Sequence, residues 1–209
     1  MFLFFLFFVY AFWVENKNVR FWTHTNEWVV HKSYYFDEQP LCFDLHPSAI
    51  QLAIGFPKAF RIYLVMEDKL VLVFTKPTQA SLVIKYNHGG NFLAIGKFYF
   101  LINILADSSK ILIMQSMTYR IICTLEGHNG LIRCITWGKY DNILVSTCNG
   151  GNIFIWDAIF TEGQSHSSVL PLLKIHNHQV IFTQVEFDPI LGITFGITTE
   201  NSVIKIIPK

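Results

Sequence analysis

The chain has 209 residues, 52% of them hydrophobic and 16% aromatic but only 15% charged, with sixteen Lys and Arg against fifteen Asp and Glu for a net charge of +1. Soluble domains carry about 25% charged residues, so disorder is excluded and an unusually large share of this polypeptide has to be hidden. The basic residues are scattered from Lys17 to Lys209 without a run, which leaves no electrostatic footprint for nucleic acid or an anionic membrane surface.

Residues 1–14 carry no charge. No Lys or Arg precedes the apolar run, no small-x-small cleavage site follows it, and it is shorter than the about 18 apolar residues a spanning helix needs. It reads as a buried strand pair, and the alternative is a small secreted or membrane-anchored β protein that uses this segment as its anchor. From there on, short runs rich in Val, Ile, Phe and Tyr alternate with turn residues, and no long 3.6-residue period appears, so the class is all-β.

Asn18-Val-Arg-Phe-Trp22, Ala59-Phe-Arg-Ile-Tyr63, Lys110-Ile-Leu-Ile-Met114, Asn152-Ile-Phe-Ile-Trp156 and Ser202-Val-Ile-Lys-Ile206 superimpose, with ends spaced 41, 51, 42 and 50 residues apart. A second series runs in phase with them: Cys42-Phe-Asp-Leu-His-Pro47, Val83-Ile-Lys-Tyr-Asn-His-Gly-Gly90, Cys134-Ile-Thr-Trp-Gly138 and Val185-Glu-Phe-Asp-Pro189. Each is followed by a strand of small residues, such as Gln51-Leu-Ala-Ile-Gly55 and Asn91-Phe-Leu-Ala-Ile-Gly96, which lets neighbouring sheets approach closely. A period of about 40 to 45 residues with four strands per unit is the signature of propeller blades.

The two long steps have different sources. Residues 160–171 read as an exposed Ser- and His-containing loop. Residues 97–106 bring the other step from 51 to 41 when deleted, and they read either as an extra apolar strand or as retained untranslated sequence. About 17 strands are expected, in one partial domain. Residues 1–35 end a first blade, 36–78 form a second, 79–126 a third with the insertion near 97–106, 127–176 a fourth, and 177–209 a truncated fifth.

Gly127-His128 followed by Trp156-Asp157, with a strand, a turn and a strand between, resembles the signature of a WD40 repeat. The resemblance implies an incomplete WD40 β-propeller of four to five blades. It also implies a hydrogen-bonded chain through His128, Ser146 and Trp156, interrupted because the family's turn Asp falls on Gly150 beside Asn149. Trp22 keeps the aromatic of another blade, whereas Tyr63, Met114 and Ile206 replace it elsewhere. Asp44-Leu-His-Pro-Ser, Asn87-His-Gly-Gly-Asn-Phe-Leu-Ala and Leu125-Glu-Gly-His-Asn-Gly-Leu-Ile-Arg133 further resemble the WD40 regions of long axonemal proteins. That implies a cytoplasmic, cytoskeletal setting in a cilium or flagellum, with partners in dynein-arm docking.

Catalytic constellations are sought in vain. Gly90 to Gly96-Lys97 is one residue too long for a phosphate loop, Phe98 stands where Ser or Thr would hold magnesium, and no Gly-x-Ser-x-Gly elbow exists. His166, His176 and His178 lack a carboxylate or thiol at ligand spacing, and Asp37-Glu38 and Glu67-Asp68 do not converge. Cys42, Cys123, Cys134 and Cys148 show no CxxC spacing and no Asn-x-Ser/Thr acceptor exists, as in a reduced compartment. The expectation is a non-enzymatic protein scaffold without cofactor, metal, nucleic-acid or membrane site, presenting Tyr140, Asp141, Phe160 and His166 on interaction loops.

Overall fold

The computed structural model describes residues 9–14, 17–24, 27–97, 109–160, 168–176, 181–187, 194–198 and 203–206. All regular structure among them is strand. The first sheet holds β1 (Val9–Val14), β2 (Asn18–His24) and β3 (Trp28–Tyr35). The second holds β4 (Cys42–Leu45), β5 (Gln51–Gly55), β6 (Ala59–Val65) and β7 (Leu70–Pro77). In the third, β8 (Ser81–Tyr86), β9 (Phe92–Lys97), β10 (Ser109–Gln115) and β11 (Ile121–His128) follow the same meander. The fourth contains β12 (Ile132–Trp137), β13 (Ile143–Cys148) and β14 (Asn152–Asp157). Before it is completed, the short β15 (Ser168–Val169) pairs in parallel with β11 as a fifth strand of the third sheet. The fourth sheet then closes with β16 (Leu173–His176), and β17 (Phe182–Phe187), β18 (Thr194–Thr198) and β19 (Val203–Ile206) form the fifth.

The superimposable segments of the sequence occupy β2, β6, β10, β14 and β19, so the repeat phase is that of the sheets. Ladder irregularities repeat with it. The pairings of β2, β6 and β10 with their outer neighbours shift register immediately before Trp22, Tyr63 and Met114, the large residues that end each segment. Such bulges increase local strand twist. Within each sheet the antiparallel order is that of a WD40 blade, and no ladder among the described residues joins the fifth sheet to the first, as in an incomplete propeller.

The sheets pack in series, with β4, β8, β12 and β17 side by side. Their core is a set of layers between sheets. Val19 and Phe21 meet Leu52, Ile54 and Phe56 between the first two; Phe60 and Ile62 meet Ile84, Leu93 and Ile95 between the second and third. Ile111 and Leu125 meet Ile135, Leu144 and Trp156 between the third and fourth, and Val145 and Ile155 meet Phe182 and Val185 between the fourth and fifth. A sheet covered on both faces needs apolar residues at successive positions. β5 is accordingly buried at all five of its residues, and the low charge content of the chain follows.

Two strands add to the about 17 expected, the first of them in a segment that does read as strand. Residues 9–14 add β1 to the first sheet, paired with β2 from Val14↔Asn18 to Val9↔Thr23; residues 1–8 lie outside the described residues. The stretch 160–171, expected as a loop alone, contributes β15, because an unpaired edge at β11 accepts even a two-residue strand. The proposed insertion lies outside the described residues beyond Lys97. β9 and β10 pair as far as Lys97↔Lys110, so the first residue of that segment belongs to the ladder.

A Cβ at Gly55 would lie 2.5 Å from the Ser81 carbonyl oxygen across the seam between the second and third sheets. Gly55→Ala should therefore destabilise the chain by about 1–3 kcal/mol, whereas Lys58→Ala on the adjacent exposed turn should change stability by under about 0.5 kcal/mol. Denaturant midpoints of the two variants check this.

Candidate functional site

Gly127 takes φ 140°, a conformation that glycine tolerates best, and delivers His128 to the end of β11. His128 Nε2 lies 2.6 Å from Ser146 Oγ on β13, and the Trp156 indole N–H of β14 donates to the same oxygen at 2.8 Å. An indole can only donate, so Ser146 Oγ accepts from Trp156 while sharing a second hydrogen bond with His128 Nε2. His128 Nδ1 is buried without a hydrogen-bond partner among the described residues. The space an Asp at position 150 would use is taken, since a Cβ there would strike the Asn129 carboxamide. Asn129 Oδ1 instead accepts from Asn152 Nδ2, Asn152 Oδ1 bonds His176 Nδ1 at 2.5 Å, and Asn149 Oδ1 accepts from Arg133 Nε.

The His128 ring stacks on Phe154 with centroids 4.4 Å apart. Burial, with the Lys174 charge as a second contribution, pushes its imidazole from 6.5 down to about 3. Trp156 is fully buried, whereas Trp22 is half-buried in the first sheet. Asp157 is exposed and accepts from the Ile159 N–H at 3.0 Å, a local turn bond.

A second polar network ties the β4–β5, β8–β9 and β12–β13 turns together. His46 Nε2–H donates to the Gly90 carbonyl at 2.8 Å, while its Nδ1 accepts from the Ser48 N–H at 3.1 Å. The Asp141 carboxylate accepts from the Asn87 side chain, the His88 and Gly89 N–H groups and the His88 ring, all within 2.9 Å. Asp44 accepts from the Tyr86 N–H at 2.7 Å, and Lys85 Nζ lies 3.3 Å away; burial nonetheless raises the Asp44 carboxyl above the ordinary range. Trp137 donates to the Lys85 carbonyl. These groups border an axial cleft of about 310 Å³ lined by Asp44, Tyr86, Trp137, Glu186 and Phe187.

Of the expected loop residues, Tyr140 is 77% exposed at a turn tip, with Lys139 Nζ 5.4 Å from its ring centroid. Asp141 is held by the neighbouring sheet as described, and Phe160 packs edge-on against Phe92 and Trp137 between the third and fourth sheets. His166 and His178 lie outside the described residues, and His176 is engaged with Asn152. The four thiols are free of disulfides. Cys42 donates to the Ser81 carbonyl and Cys134 to the Val185 carbonyl, each across a seam, and burial pushes Cys42 and Cys123 up to about 12. His46, His88 and Asp44 escape sequence reasoning as network members. The available signal is their common place at or just past the end of a first strand.

Trp156→Ala should cost about 3–5 kcal/mol, and Trp156→Phe, which chiefly deletes the bond to Ser146, clearly less; thermal and denaturant unfolding compare them. His128 gives a pH dependence of known sign. Below about pH 6.5 the unfolded chain protonates this imidazole while the folded chain does not until about pH 3, so stability falls on acidification by about 1.4 kcal/mol per pH unit. Asp44 acts oppositely, since the folded chain takes up its proton first. Between about pH 6.5 and 5, unfolding free energy should fall less steeply in His128→Gln than in the unmodified chain, by about one proton.

No family model matches the chain. It is 25% identical over 178 residues to cilia- and flagella-associated protein 57 C of Tetrahymena thermophila, covering 80% of this chain and 13% of that protein. It is 26% identical over 211 aligned positions to echinoderm microtubule-associated protein-like 4 of Xenopus laevis, covering 83% of this chain and 22% of that protein. The chain thus spans less than a quarter of either relative. A chain of the mitotic checkpoint complex superposes with a TM-score of 0.75 at 14% identity, over 96% of this chain and 60% of that one. Blades that repeat in this order, and superpose on such a chain over nearly their whole extent, show that the fold is an incomplete β-propeller of the WD40 type.

Proposed function

We propose that the chain is a non-catalytic protein-interaction scaffold within a ciliary or flagellar assembly, a cytoskeletal protein whose partners lie on the axoneme and include components that dock dynein arms. The observation that carries this reading is the cross-linked row of turns. His46 and Asp141 fasten the β4–β5, β8–β9 and β12–β13 turns into one face, which fixes the positions of side chains such as Tyr140 before any partner arrives. A surface ordered in advance loses little conformational entropy on binding, and that favours recognition of a protein partner. The likeness to a cilia- and flagella-associated protein and to a microtubule-associated protein supports the setting. The single partial propeller expected from the sequence, with blades at 1–35, 36–78, 79–126, 127–176 and 177–209, belongs to the same proposal.

Proximity labelling from the tagged chain in a ciliated cell tests this. Axonemal proteins, dynein-arm components among them, should dominate the labelled set, and enrichment of secretory or membrane proteins instead would overturn the reading.

A further inference from the structure

Two asparagines of the chain precede glycine, in Asn129-Gly130 and Asn149-Gly150, and no other Asn-Gly pair occurs in it. Asparagine is chemically labile, and most so before glycine, whose main-chain nitrogen can swing back onto the preceding carboxamide because no Cβ hinders the approach. The fold brings both pairs to the same end of the fourth sheet. A Cβ at Gly130 would lie 3.1 Å from the Gly150 nitrogen, and one at Gly150 would lie 2.9 Å from Asn129 Cγ. Among the described residues neither the Gly130 nor the Gly150 N–H donates a hydrogen bond. Both nitrogens are therefore free to attack, and the surroundings of the two carboxamides decide between them.

Asn149 and Gly150 are the central residues of the β13–β14 turn, which closes where the Gly151 N–H donates to the Cys148 carbonyl at 3.1 Å. Asn149 Oδ1 accepts from Nε of the exposed Arg133, and its Nδ2 is engaged by no described residue. A guanidinium on that oxygen draws electrons from Cγ and stabilises the negative oxygen that forms when a nucleophile adds there. Asn129 is the more exposed residue, yet its carboxamide is committed inward. Its Oδ1 accepts from Asn152 Nδ2, a neutral donor, and from Cys148 Sγ at 3.6 Å, while its Cγ packs on Gly150. Swinging it toward the Gly130 nitrogen would strip Asn152 of an acceptor in a buried position.

We infer that Asn149 is a site of self-modification, turning to an acid as the folded chain ages, while the fold protects Asn129. The Gly150 nitrogen, having given its proton to hydroxide, attacks Asn149 Cγ; an N–Cγ bond forms, the Cγ–Nδ2 bond breaks, and Nδ2 leaves as ammonia with a proton taken from water. Water then opens the cyclic imide. Cleavage of the new N–Cγ bond gives aspartate at 149, and cleavage of the original peptide bond gives isoaspartate, whose main chain runs through the side-chain carbons. Aspartate there pairs with Arg133 as a full ion pair and brings a carboxylate to the turn in which the sequence places none. Isoaspartate instead lengthens the turn by a methylene beside Gly150, where Asn129 leaves no spare room. That displaces the Asn129–Asn152–His176 network, so the site sets a lifetime for the polar end of the fourth sheet.

Incubating the full 209-residue chain at mildly alkaline pH, once folded and once in urea, tests this, with peptide mapping by mass spectrometry and enzymatic methylation of isoaspartate as the readouts. In the folded chain Asn149 should convert about tenfold or more faster than Asn129. In urea the two should convert at comparable rates, because only the fold distinguishes them. Arg133→Gln, a change at an exposed side chain, should slow Asn149 about fivefold in the folded chain, less than loss of a donor costs in a dry site, and leave its rate in urea unaltered. Equal rates at the two asparagines of the folded chain, an Asn149 that stays an amide, or faster conversion in Arg133→Gln would each overturn the inference.

Discussion

No blade of this protein can bury its own faces. The second, third and fourth sheets present apolar side chains in both directions, and the layers that hide them form only against a neighbouring sheet: Leu52 and Ile54 need the first sheet, while Ala53, Phe60 and Ile62 need the third. This explains why so few residues are charged and why small side chains are spent at the seams, where Gly55 admits the Ser81 carbonyl. It also makes stability a nearest-neighbour property in which each sheet depends on those beside it.

Polar groups then fix the angle at which the layers meet. Cys42, Cys134 and Trp137 each donate across a seam to a carbonyl of the adjacent first strand; at the turns His46 does the same, and Asp141 accepts from the Gly89 N–H. Buried thiols serve here as weak donors, with the raised pKa that burial imposes. Within a blade only the fourth sheet carries the His128, Ser146 and Trp156 chain, and there Asn129 and Asn152 take the room of the missing carboxylate without supplying His128 Nδ1 with a partner.

What could be read from the chain follows from how far each interaction reaches. The strands ending at Trp22, Tyr63, Met114 and Trp156 were legible because alternation and turn residues are local, and His128, Ser146 and Trp156 were legible through a resemblance confined to one repeat. Asp44 and Asp141 were not, since their partners lie 42 and 53 residues away and a carboxylate near a turn looks solvated. Phe160 was assigned to an exposed loop because nothing local shows that Phe92 and Trp137 receive it.

The parallel pairing of β15 with β11 bears on the order in which the chain acquires structure. Thr124 and Leu125 of the third sheet wait for Ser168 and Val169, which leave the ribosome only after β12, β13 and β14 have been made. Val169 then packs against the layer shared by the third and fourth sheets. Nascent chains therefore finish their third blade during synthesis of the fourth, and the outer edge of β11 stays open to foreign strands for that interval. The two-residue strand thus ties the connection leaving β14 to the edge of the third sheet.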